Sequence, residues 1–157
     1  EAQDIVQQKV LPLAMLITPN LPEMEALTGL PLSTYGEKEK AAKYLLDSGA
    51  KAILLKGGHE EGSVKTDILF TSSLDGIQPS LFSSESIPTR NIHGTGCTLS
   101  SAITAYLAKG LSMAEAIAAA KRYISEAIRA GADIETGQGF GPVNHGFNPL
   151  KMQVNEI

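Results

Sequence analysis

Apolar residues along this chain come in two rhythms, short unbroken runs and helical stripes. LAMLITP at 13–19 and KAILLKGG at 51–58 read as buried strands, the first ended by proline and the second by paired glycines. KTDILFTSS at 65–73 and IQPSLFSSESI at 77–87 predict two more strands, joined by a turn at Asp75-Gly76. Pro79 puts the second of these at a sheet edge. Helix signals lie between and after these runs. Asn20 suits an N-cap, with Pro22 in the first turn and Glu23 three residues after the cap. Thr34 and Glu37 form a second capping pair before the stripe Ala41, Ala42 and Leu45, which Gly49 closes. From Gly94 a helix carries Leu99, Ala102, Ile103, Tyr106 and Leu107 at helical spacing, up to Gly110. Ser112 and Glu115 open the last helix, with Ala120, Tyr123, Ile124, Ala127 and Ile128 on one face and Gly131 at its end. The tail ETGQGFGPVNHGFNP has no period and reads as loop. Strands alternating with amphipathic helices predict an α/β sandwich with a largely parallel sheet.

Composition narrows the class without naming a chemistry. With 157 residues, 43% of them hydrophobic and 19% charged, the chain is ordinary globular protein. A net charge of −4 leaves no basic footprint, so nucleic acid is not an expected partner. No apolar run approaches the ~20 residues of a membrane span, and EAQDIVQQKV is no signal peptide. One cysteine suits a cytoplasmic protein. The opening residues read as the end of a helix running into a strand. Residues 1–157 are therefore expected to be the C-terminal portion of a single domain.

The stretch NIHGTGCTLSSAI at 91–103 changes the picture. A helix N-terminus offers unpaired backbone N–H groups and about half a positive charge. Glycines ahead of it let an anion approach the backbone. Gly94, Thr95, Gly96 and Cys97 thus form a candidate oxyanion or phosphate hole. A sulfur in that field can accept or steer the proton of a substrate hydroxyl. The plain alternative is a strand-to-helix turn with a small core cysteine. No G-x-x-x-x-G-K-[ST] loop occurs, and the third glycine of a dinucleotide fingerprint would fall on Leu99. His59, His93 and His145 lie too far apart, with no second cysteine, for metal-ligand spacing.

TPNLPE, KGGH, HGTGCTLSSAI and GPVNH stand here in the order and approximate spacing of the hydroxymethylpyrimidine/phosphomethylpyrimidine kinases of thiamine biosynthesis. The chain resembles that family, within the ribokinase-like superfamily, over nearly its whole length. The match covers only the C-terminal part of the family's domain. The resemblance implies a three-layer α/β/α sandwich and a kinase using ATP and Mg²⁺ on a small pyrimidine. It implies that Asn20 and Glu23, as N-x-x-E, lie near magnesium and the nucleotide phosphates, with Glu23 the metal-side carboxylate. Their local alternative is a helix cap. It also implies that Lys56, Gly57 and Gly58 lie beside the ATP phosphates. Lys56 could equally be a solvated lysine at a strand end. Arg90 and His93 are further phosphate-side candidates, with a surface salt bridge and packing as their alternatives. The loop from Gly137 to Asn144 resembles the one bordering the nucleotide base. Most of the family's pyrimidine pocket lies in an N-terminal segment without a counterpart here. A partner segment, a homodimer or further residues would have to complete the sheet. Pyridoxal and hydroxyethylthiazole kinases share this hole, and a non-catalytic nucleotide or pyrimidine sensor would keep the fold.

Overall fold

The computed structural model describes residues 2–57 and 62–149, and the chain divides into two compact units, Glu1–Ser86 and Ile87–Ile157. Gly58, a phosphate-side candidate, and His59 lie outside the described residues.

In the first unit, a short helix α1 (Ala2–Ile5) continues into a π-helical turn at Val6–Val10. Helix α2 (Leu21–Thr28) starts at Asn20, whose side chain accepts from the Glu23 amide while the Glu23 carboxylate accepts from the Asn20 amide. Thr34 and Glu37 exchange the same pair of bonds at the start of α3 (Tyr35–Asp47). These reciprocal caps satisfy backbone donors that no helical carbonyl can reach. Three strands follow: β1 (Ala52–Leu55), β2 (Val64–Ser73) and β3 (Gly76–Glu85). Ala41, Ala42 and Leu45 of α3 bury their stripe with Met24, Ile53, Leu55, Ile68 and Phe70 in one core. A large-to-small change at such a site costs about 2–5 kcal/mol.

The largely parallel sheet expected from the sequence is not what the strands form. Their order is β1-β2-β3 and both pairings are antiparallel. Chain length decides this. A parallel crossover needs about a dozen residues or more, whereas residues 56–63 join β1 to β2 and only Leu74 and Asp75 join β2 to β3. The turn also lies one residue earlier than predicted, because Ser73 pairs with Gly76. Parallel pairing survives in isolated bridges from Ile17 to Ile53 and from Asn20 to Lys56, so 13–19 is not a full strand. Within that segment Pro19 has no N–H to give, although its carbonyl accepts from Lys56 at 2.9 Å. Pro79 sits in β3, the edge strand, as expected.

In the second unit, α4 (Thr95–Ala108) packs on α5 (Met113–Gly131). Leu99 and Ile103 are buried on α4, and Ala116, Ile117, Ala120, Ile124 and Ala127 on α5. Ser112 and Glu115 close a third reciprocal cap at the start of α5. The tail then returns along α5: the Asn144 amide donates to Ala127 O at 3.0 Å and Val143 is buried.

Candidate functional site

The residues singled out from the sequence fall into two groups, one in each unit. In the first, the parallel bridge between Asn20 and Lys56 sets the start of α2 beside the end of β1. Lys56 Nζ lies 3.7 Å from Glu23 Oε2, the same oxygen that takes the Asn20 amide at 2.7 Å. So the cap is formed, and the carboxylate that closes it also faces the Lys56 ammonium. The Glu23 side chain is 56% exposed and that of Lys56 only 19%. Glu23 also stands at the rim of an open apolar cavity of about 360 Å³, lined by Val6, Leu11, Ile17 and Leu27 among others.

The sequence reading missed Asp67. It is buried within β2, and its Oδ1 accepts the Gly57 amide at 2.9 Å, fixing the backbone just after Lys56. A single acid inside the apolar run KTDILF was the available signal. Burying a carboxylate is costly unless it is bonded, so its position is tied to its partners.

The second group surrounds the start of α4. Gly94 is the N-cap residue with φ 86°, a left-handed conformation that costs a side-chain-bearing residue about 1–2 kcal/mol. A Cβ there would meet nothing within 4 Å, so backbone conformation, not crowding, selects glycine. No side chain caps the helix. The Thr95 amide donates to Ile92 O at 3.2 Å and the Thr98 amide to Gly94 O at 2.9 Å. Between them, the Gly96 and Cys97 amides have no acceptor among the described residues. Gly96 and Cys97 are exposed, Gly94 and Thr95 half-buried. The turn is open, and the buried-cysteine alternative does not hold. Arg90 and His93 are also exposed, and neither side chain has a partner among the described residues. The surface salt bridge weighed for Arg90 is therefore not formed there.

Asn91, to which the sequence reading gave no role, and Gly141 of the GPVNH motif brace this turn. Asn91 is 4% exposed and donates through Nδ2 to Gly131 O and Ile134 O, both at 2.7 Å. Gly141 lies against it: a Cβ at 141 would come within 2.0 Å of Asn91 Oδ1. The His93 amide donates to Gly141 O at 3.0 Å, so the terminal GPVNH motif is anchored beside the turn.

These groups can do definite chemistry. Free amides at a helix start bind anionic oxygens. The Glu23 carboxylate, with one oxygen unengaged among the described residues, matches the single carboxylate contact that magnesium often takes alongside phosphates and water. Among the described residues no cluster of three or more His, Cys, Asp or Glu could cage a metal by itself.

Comparison with known proteins finds kinases among the relatives of this chain. A family model described as phosphomethylpyrimidine kinase matches residues 1–144. The chain is 47% identical over 144 residues to the thiamine biosynthesis bifunctional protein ThiED of Geobacter sulfurreducens, covering 92% of this chain and 28% of that protein. It is 45% identical over 139 residues to the hydroxymethylpyrimidine/phosphomethylpyrimidine kinase of Rhizobium meliloti, covering 88% of this chain and 51% of that one. The pyridoxal kinase of Staphylococcus aureus, solved with AMP-PCP and pyridoxal, superposes with a TM-score of 0.81 at 33% identity, over 92% of this chain and 52% of that one. The chain thus spans about half the length, or less, of the relatives it matches. By the extent of the family match and the shared α/β fold, it belongs to the phosphomethylpyrimidine kinase family.

Proposed function

We propose that the protein carrying this chain transfers the terminal phosphoryl group of ATP to the hydroxymethyl oxygen of 4-amino-5-hydroxymethyl-2-methylpyrimidine. It would then phosphorylate the resulting monophosphate, as a step of thiamine diphosphate biosynthesis. The observation that carries this reading is the open start of α4, where the amides of Gly96 and Cys97 face no protein acceptor among the described residues. Phosphoryl transfer asks a protein mainly to position groups and to stabilise spreading negative charge.

Each residue then has a role. The Gly96 and Cys97 amides take the oxygens of the moving phosphoryl group, and Gly94 and Thr95 shape the turn that presents them. The Cys97 sulfur takes the hydroxyl proton as thiolate, or steers it as thiol. Lys56, Arg90 and His93 offset nucleotide charge; Gly57, buried with its amide held by Asp67, shapes the strand end, and the close approach of phosphate falls to Gly58. Asn20 fixes the start of α2, and Glu23 is the carboxylate toward Mg²⁺. When bound, the metal neutralises charge on the nucleotide oxygens. The whole protein would adopt the three-layer α/β/α sandwich and work as a cytoplasmic homodimer, which cell fractionation and sedimentation measure.

A second reading, pyridoxal kinase, draws support from the likeness to the Staphylococcus aureus enzyme. The higher identity to the hydroxymethylpyrimidine/phosphomethylpyrimidine kinase of Rhizobium meliloti favours the first. The test compares kcat/KM of the whole protein for hydroxymethylpyrimidine, pyridoxal and hydroxyethylthiazole. The pyrimidine should be preferred. Preference for pyridoxal would overturn the assignment.

A further inference from the structure

We propose that Asn91 is a positioning residue, whose buried side-chain amide sets the phosphate-binding turn at 92–97 by tying it to the loop that follows α5. The inference rests on the kinase reading above, but its geometry lies wholly within the second unit.

The carbonyls at and beyond the end of α5 have no helical partner. Three of them converge on one nitrogen: Asn91 Nδ2 lies 2.7 Å from Gly131 O, 2.7 Å from Ile134 O and 3.4 Å from Ala132 O. A carboxamide is the short uncharged side chain that brings two N–H donors to such a cluster. Aspartate would set acceptors against acceptors, and alanine would take from Ile134 O its donor, leaving Gly131 O with only the Ile134 amide at 3.2 Å and Ala132 O with only the Thr89 hydroxyl. Neighbouring bonds fix the same point. The Asn91 amide donates to Thr89 Oγ1 at 3.1 Å, and that hydroxyl donates to Ala132 O at 3.0 Å. On the other side Gly141 leaves room for Oδ1 only because it has no Cβ.

The tether reaches the turn through one residue. The carbonyl of Ile92, next in the chain, accepts both the Thr95 amide at 3.2 Å and the Thr95 hydroxyl at 2.6 Å. Displacing Asn91 therefore moves the group that holds the first residue of α4, and with it the amides of Gly96 and Cys97. A misplacement of about 1 Å in a positioning group can lower turnover by about 10²-fold. A residue that only added stability would have no such selective effect.

The experiment uses the whole protein and pairs Asn91→Ala with Gly141→Ala, which attacks the same contact from the other side. Leu45→Ala, in the core of the first unit, serves as a control for lost stability alone. Asn91→Ala should lower kcat by about 10²-fold with little change in KM for the alcohol. Hydrogen exchange should quicken at 92–98 and 131–142 while α3 stays protected. Gly141→Ala should give the same signature even if Asn91→Ala does not fold. In the double variant the two losses should not add, since removing the Asn91 side chain makes room for the new methyl. A wild-type kcat in either single variant would overturn the proposal, as would a loss no greater than that of Leu45→Ala. If the wild-type protein phosphorylates none of the alcohols, the kinase reading fails by itself. The exchange measurement then decides for Asn91: local loosening supports the tether, and an unchanged or uniform pattern refutes it.

Discussion

Cys97 is exposed in the first turn of a helix that has no side-chain cap. Its neighbours divide the work. Gly94 supplies the left-handed conformation that begins the turn, and Gly96 keeps the approach to the amides bare. Replacing Cys97 by alanine should lower turnover by about 10²–10⁴-fold, the usual range for a lost proton-transfer group. Nucleotide affinity, read by calorimetry, should persist, because the amides remain. An unchanged rate would remove the sulfur from the chemistry. At this scale the sequence was informative wherever the signal was local, as in HGTGC. It was silent on Asn91, whose bonds reach Gly131 and Ile134, forty or more residues away. Nothing in the stretch TRNIH distinguishes a buried tether from a surface amide. Asp67 was equally hidden, since its contact with Gly57 depends on how β2 pairs with β1.

Among the elements, helix starts were the most legible feature. Asn20–Glu23, Thr34–Glu37 and Ser112–Glu115 each close a reciprocal cap, because both partners sit within one turn and need no tertiary contact. Strand direction was not legible. The alternation of strands and helices suggested crossovers, but two short connections force β1, β2 and β3 into antiparallel pairing. The cap at α5 has a consequence for pH. The Ser112 hydroxyl, and then its amide, donate to the Glu115 carboxylate and hold its pKa below the ordinary glutamate value. A depressed folded-state pKa means the unfolded chain binds the proton more readily. The contribution to stability is therefore complete above the ordinary glutamate pKa and fades as pH falls through the lower folded value. Melting temperatures of Glu115→Gln and the parent should differ at neutral pH and converge in acid. A gap that persists in acid would refute the assignment.

For the molecule as a whole, surface character matters more than any one bond. Among the described residues no helix is long and apolar enough to cross a membrane, and the net charge is −4. The open edge is β3, where Leu81 is 64% exposed and Pro79 removes one N–H that another chain could pair with. Leu81→Lys should reduce concentration-dependent association, measured by light scattering, while stability shifts by no more than about 0.5 kcal/mol. A fall in stability well beyond that would mean that Leu81 serves the fold. The bond from the His93 amide to Gly141 O has a different reach. It turns everything between those two residues into a closed circuit, part covalent chain and part hydrogen-bonded rung. Extra residues in the short link at Lys109–Leu111 would bulge outward and leave both ends of the circuit in phase. One residue gained or lost between Gly131 and Ile134 would change which carbonyl meets Asn91. Insertions at the distal bend are thus tolerated, and the spacing at the end that carries the start of α4 is locked by Asn91.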